Sequence, residues 1–256
     1  MSDAEDRPYG LRLAVEAYLE QHDVPRSALR GVERLEGLLE GPPLDGPTAA
    51  WIGALADRRA VDLQQIERIF EAMLTPTEVR GEGAVYTPSW VADALIAQGD
   101  ELRPGSEPPR IVDPACGSGG MLVRAVTYLM ERYDLGVEAA LCRVGGIEKD
   151  EAAADRARSL LGLLLVARGG EPTLADRRVV VGDSLLDEPD ERVDQLDFDR
   201  RPDLLVVDSI QTLSTDELSS SPGSVAQLKE VAARLTQVAK GYEIPTVFIG
   251  HVTKDG

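Results

Sequence analysis

The stretch from Ile111 to Leu122, I-V-D-P-A-C-G-S-G-G-M-L, constrains the fold more than any other part of the chain. Two apolar residues run into an acid, a Pro turn leads to three glycines, and apolar positions then recur at Leu122, Val123, Val126, Leu129 and Met130. That order predicts a strand, a tight loop and a helix, the unit from which α/β sheets build sites for nucleotide-like ligands. Gly117, Gly119 and Gly120 let the backbone take positive φ and approach a ligand closely. Amides at the start of the helix add partial positive charge. Close strand–helix packing alone would also explain the glycines. No G-x-x-x-x-G-K-[ST] occurs in the chain, so the loop is not a phosphate P-loop.

With 256 residues the chain is expected to form one large domain, or one domain with a helical attachment. A formal net charge of -18 and the absence of a Lys/Arg-rich run argue against strong duplex binding, which draws mainly on cations at phosphates. Cys116 and Cys142 are too few for a disulfide framework or a zinc site. Cys116, inside the loop, reads as structural. The acidic N-terminus does not read as a signal peptide, and the apolar run Leu160 to Ala167 is too short to span a bilayer, so a soluble cytoplasmic protein is expected.

Residues 1–80 read as a helical segment. Leu29, Val32, Leu35, Leu38 and Leu39 recur at helical spacing and predict one helix ended by Gly41-Pro42-Pro43. A second stripe, Val61, Ile66, Ile69, Phe70, Met73 and Leu74, ends at Thr75-Pro76. Core packing rather than a partner surface is the expectation for both. His22 has no companions that suggest a metal or catalytic site.

From residue 81 onward further features line up. Tyr86-Thr87-Pro88 precedes a helical pattern, and Thr87-Pro88 has the form of an N-cap followed by Pro at the first helical position. A strand over Val144 to Ile147 ends in Glu148, which follows Asp113 by 35 positions. That is longer than the roughly 20 of a dinucleotide fingerprint and counts against NAD. A helix over Ala152 to Ala167 leads to a strand at Arg178 to Val181, then G-D-S-L-L with Asp183.

Taken in this order over about residues 81–186, Y-T-P, D-P-A-C-G-S-G-G, Glu148 and Asp183 resemble DNA adenine methyltransferases that act on the exocyclic amino group, particularly the type I restriction-modification kind. The resemblance implies a three-layer, mostly parallel Rossmann-like α/β sheet preceded by helices. It also implies S-adenosylmethionine as cofactor and DNA as partner. In that family the loop residues matching Asp113, Pro114, Ala115, Gly117, Ser118 and Gly119 cradle the cofactor. Tyr86 and Thr87 match the segment at its methionine end, Glu148 the acid on the ribose hydroxyls, and Asp183 the acceptor for the adenine amino group.

The resemblance breaks at the fourth strand, Asp203 to Val207. The family's catalytic Asn/Asp-Pro-Pro-Tyr/Phe is replaced by Asp208-Ser209-Ile210-Gln211, which keeps an acid and lacks both prolines and the aromatic. Residues 203–256 instead resemble the Walker B strand and following segment of RadA-type DNA repair ATPases. There Asp208 would serve the magnesium of ATP, and His251 would lie near the γ-phosphate. That family continues past Lys254, and no Walker A loop lies upstream.

The expectation is therefore a fused chain, methyltransferase-like over 81–202 and RadA-like over 203–256. It would bind S-adenosylmethionine with an incomplete catalytic motif and no target-recognition domain. The alternatives are a RadA-type ATPase fragment and a folded scaffold without activity. No metal site is expected, and the last strand, Thr246 to Gly250, is expected outside the Asp203 strand rather than between it and the Ile111 strand.

Overall fold

Short aliphatic runs ending in acids become parallel strands because each is followed by a turn and a helix that carries the chain back. The computed structural model describes residues 7–40, 61–72, 87–185, 194–196, 198–211, 213–215, 220 and 224–250. Among the described residues there are eight α-helices and five strands. The helices are α1 (Arg7–Gln21), α2 (Glu33–Gly37), α3 (Leu63–Ala72), α4 (Ser89–Glu101), α5 (Gly120–Tyr133), α6 (Val137–Leu141), α7 (Glu151–Ala167) and α8 (Val225–Tyr242). The strands are β1 (Ile111–Asp113), β2 (Val144–Glu148), β3 (Val179–Val181), β4 (Leu204–Asp208) and β5 (Thr246–Ile249).

The strands form one sheet in the order β3-β2-β1-β4-β5, and every pairing is parallel. The Ile111 strand is central, the Asp203 region lies beside it, and β5 takes the outer place, as predicted. This is the Rossmann-like α/β fold expected from the sequence, with helices ahead of it. Strand periodicity sorts the side chains into two layers. Ile111, Val144, Val179, Leu204 and Val206 join the core under α5 and α7, whereas Val112, Val180, Leu205 and Val207 face the opposite side. There Val207 meets Val231 and Leu235 of α8.

The N-terminal helices are part of the same core. Leu19, Leu35, Ile66 and Phe70 belong to one buried cluster with Leu160, Leu161 and Ile111. The helix predicted over Leu29 to Leu39 is broken instead. A 3-10 turn covers Arg26–Leu29, Gly31 takes a φ of 83°, and only the short α2 follows. A left-handed residue cannot continue a right-handed helix. The apolar spacing nevertheless survives, since Leu29, Val32 and Leu35 are all buried. Gly41-Pro42-Pro43, Met73 to Pro76, Tyr86 and His251 lie outside the described residues.

Candidate functional site

In a sheet of this order the strand order reverses between β1 and β4, and the connections leaving their carboxyl ends run to opposite faces, leaving a crevice between them. A cavity of about 530 Å³ opens there. It is within the roughly 300–1,000 Å³ typical of small-molecule sites. Thr87, Pro114, Ala115, Gly117, Ser118, Glu148, Asp183 and Asp208 all line it, from five separate stretches of sequence. Asp113 and Gly119 stand behind the wall rather than on it.

Those two residues shape the loop. Asp113 is 1% exposed, and its Oδ1 accepts the Ala115 amide at 2.9 Å, closing the turn after β1. Burial, then the charge of Asp208, raises its carboxyl well above the ordinary range, against the pull of the Ala115 and Asp208 amides. Gly119 has a φ of 92°, and a Cβ there would lie 2.8 Å from the Ala157 backbone, so the loop rests directly on α7. Cys116 is buried against β2, where a Cβ on Gly146 would come 2.6 Å from its Sγ. Burial raises this thiol well above its usual value, so it is a packed, unreactive side chain.

The polar groups on the wall are held by contacts within the chain. Glu148 accepts the Gly117 amide on Oε2 at 2.9 Å and the Asp150 amide on Oε1 at 2.8 Å. Each oxygen keeps a further lone pair for a ligand hydroxyl. Lys149 reaches Asp183 Oδ2 at 3.0 Å. Thr87 does not cap α4. Pro88 occupies the N-cap position, and the Thr87 hydroxyl instead donates to Asp208 Oδ1 at 2.8 Å, because Pro88 turns α4 in just beyond it.

Sequence reasoning missed Glu67 on α3. Both of its carboxylate oxygens crowd the place where a Gly120 side chain would begin, and Ser118 Oγ donates to Oε1 at 3.4 Å. The third glycine of the motif was the available signal. It starts a right-handed helix and has no conformational need to be glycine, so something must occupy its missing Cβ. Lys149 was hidden in the charged E-K-D-E run.

Just beyond β4 Ile210 and Gln211 turn away from the crevice, and Leu213 and Ser214 return to its wall. The Ile210 amide bonds to Ile249 O at 3.0 Å, and the Ile210 side chain packs on the Val207–Val231–Leu235 cluster. Asp208 and Ser209 line the cavity, whereas Ile210 and Gln211 do not. Among the described residues no cluster of His, Cys, Asp and Glu could hold a metal ion. No described helix is long and apolar enough to cross a membrane.

The family described as N-6 DNA Methylase matches residues 64–198, more than half of the chain, taking in α3 as well as the loop and the first three strands. The chain is also similar to proteins described as DNA repair protein RadA. That of Chlamydia muridarum is 50% identical over 66 residues, 26% of this chain and 14% of that protein. That of Escherichia coli is 52% identical over 58 residues, 23% of this chain and 12% of that protein. That of Halalkalibacterium halodurans is 42% identical over 85 residues, 32% of this chain and 19% of that protein. The chain thus spans less than a fifth of the length of each of these relatives.

Proposed function

Because the chain belongs to the N-6 DNA methylase family, we propose that its cavity binds S-adenosylmethionine and that its catalytic motif is incomplete. The observation that carries the first half is the convergence of Thr87, the 114–118 loop, Glu148 and Asp183 on one cavity at the switch point. The residues fit the cofactor. Glu148 keeps lone pairs for a ribose diol, Asp183 offers an acceptor for an adenine amino group once Lys149 yields, and the glycine loop leaves room beside the α5 amides. Tyr86 would complete the methionine end. When bound, the cofactor supplies a methyl group activated on a sulfonium.

The chain's own contribution to methyl transfer would be to orient the target amino group and accept its hydrogens. Asp208 retains one acceptor, held by Thr87. The prolyl carbonyl and the stacking aromatic that a flipped adenine requires have no counterpart at Ser209, Ile210 and Gln211. Loss of stacking costs about 1–3 kcal/mol, and an ångström of misplacement costs about a hundredfold. Together they correspond to something like three to four orders of magnitude in rate. The substrate class is adenine in DNA, with affinity limited by the acidic surface.

The RadA-like residues 203–256 supply β4, α8 and part of the sheet edge, joined to methyltransferase-like residues 81–202. In an ATPase reading Asp208 would hold magnesium, but the amide cradle and Lys for β- and γ-phosphates are missing from the sequence. We read this segment as structural in this chain.

The test is calorimetry of the full chain with S-adenosylhomocysteine. Wild type should bind in the micromolar range, and Glu148→Ala should lose roughly 1.5–3 kcal/mol. A labelled-methyl assay on unmethylated DNA should give little transfer. A folded wild type that binds no cofactor at high micromolar concentration would overturn the binding half, and robust transfer would overturn the catalytic half.

A further inference from the structure

We propose that Glu67 is the receptor for the cofactor's α-amino group, so that the N-terminal helical segment builds part of the methionine subsite. The inference rests on the cofactor reading above and adds a residue to it from outside the loop and strand ends. Glu67 projects from α3 onto the cavity wall. Its carboxylate lies against the first residue of α5. A Cβ built on Gly120 would collide with Oε1, Oε2 and Cδ of Glu67. Ser118 Oγ donates to the same carboxylate at 3.4 Å.

Position and charge together decide the role. Glu67 meets the loop at Ser118 and Gly120, and the same loop bonds Glu148 through the Gly117 amide, with Asp183 beyond it on Lys149. A ligand with its adenosine on Glu148 and Asp183 therefore directs its aminoacyl end to Ser118, Gly120 and Glu67. That end carries an ammonium and a carboxylate. A carboxylate side chain attracts the first and repels the second, and an ammonium donates to an ionised acceptor through three hydrogens. Glu67 accordingly selects the orientation in which the amino group turns towards α3 and the ligand's carboxylate turns away. The missing Cβ of Gly120 is what lets the acid approach this closely.

The experiment compares two ligands on the full chain by calorimetry. S-Adenosylhomocysteine carries the aminoacyl end, and 5′-methylthioadenosine lacks it. Glu67→Gln should weaken S-adenosylhomocysteine about tenfold and change methylthioadenosine less than twofold. Glu67→Asp, which keeps the charge on a shorter arm, should fall between wild type and Glu67→Gln. Unchanged methylthioadenosine binding also shows that the variant is folded. Tighter S-adenosylhomocysteine binding by Glu67→Gln would overturn the proposal and make the acid a plug that the ligand must displace. Equal loss for both ligands would overturn it in favour of a purely structural role. Wild type that binds methylthioadenosine but not S-adenosylhomocysteine would overturn the Glu67 assignment and leave the adenosine site standing. Binding of neither would remove both readings.

Discussion

Asp113 shows how one carboxyl can build a site without lining it. Its Oδ1 fixes the turn through the Ala115 amide, while burial and then the nearby charges of Asp208 and Glu148 disfavour its ionised form. A carboxyl raised in the folded state stabilises most below its ordinary value of about 3.9, and that stability is lost as pH rises through the raised value. Asp113→Asn keeps an acceptor for Ala115 and removes the charge. The variant should therefore gain on wild type as pH rises from about 4, by roughly 2–4 °C in Tm for each kcal/mol relieved. Thermal unfolding of both proteins from pH 4 to pH 8 checks this, and a gain that shrinks with rising pH would contradict it. The position of Asp113 was legible in the sequence, because a strand ending in an acid before a Pro turn has few other uses. Its withdrawal behind the wall was not. Whether a carboxylate faces ligand or its own turn depends on neighbours such as Asp208, which is 95 positions away.

At the scale of elements, the residues that lead into β1, β3 and β4 are fastened together at the amino-terminal edge of the sheet, opposite the cavity. Arg178, 6% exposed, donates to Leu196 O at 2.7 Å and Cys142 O at 3.3 Å, and its guanidinium stacks over Phe198 at 5.6 Å. Arg110 pairs with Asp199, and its amide donates to Asp203 Oδ2 at 2.9 Å. Gly145 leaves the space that Leu196 and Phe198 fill, since a Cβ there would meet Leu196 at 2.8 Å. Arg178→Met removes the donors and leaves two carbonyls without that partner, so it should cost about 2–3 kcal/mol. Urea unfolding should show a lower midpoint with an unchanged slope, and an unshifted midpoint would refute the clamp. The strands themselves were legible from their aliphatic runs. The clamp was not, because buried arginines read in sequence as surface charge, and only the fold brings residue 178 to residues 196 and 198.

At the scale of the whole molecule, the largest core among the described residues crosses the boundary a sequence reading places near residue 80. Leu35 of α2 packs on α7, 3.1 Å from where a Gly162 Cβ would stand, and Ile66 and Phe70 of α3 lie in the same cluster as Leu160 and Leu161. Unfolding of the full chain, followed by far-ultraviolet dichroism and by calorimetry, should therefore show a single shared transition. A version beginning at residue 81 would bare the apolar face of α7 and should aggregate; a soluble, cooperatively folding truncation would refute the shared core. Among the described residues the helical stripes mark side chains that are buried or packed partly buried against the core, but they carried no record of what they would be buried against. Charge is distributed on the same whole-molecule scale. The net charge is -18, and the described lining of the cavity sets Asp62, Glu67, Glu148, Asp150, Asp183 and Asp208 against Arg124, Lys149, Arg156 and Arg168, an excess of two carboxylates. On the proposed reading, the incoming cofactor carries a sulfonium cation and the spent one a neutral thioether. A carboxylate about 6 Å from a cation, at an effective dielectric of about 20, is worth roughly 3 kcal/mol. An acidic excess of this kind holds the sulfonium form more tightly than the thioether, so loss of the methyl group would by itself loosen the cavity's grip.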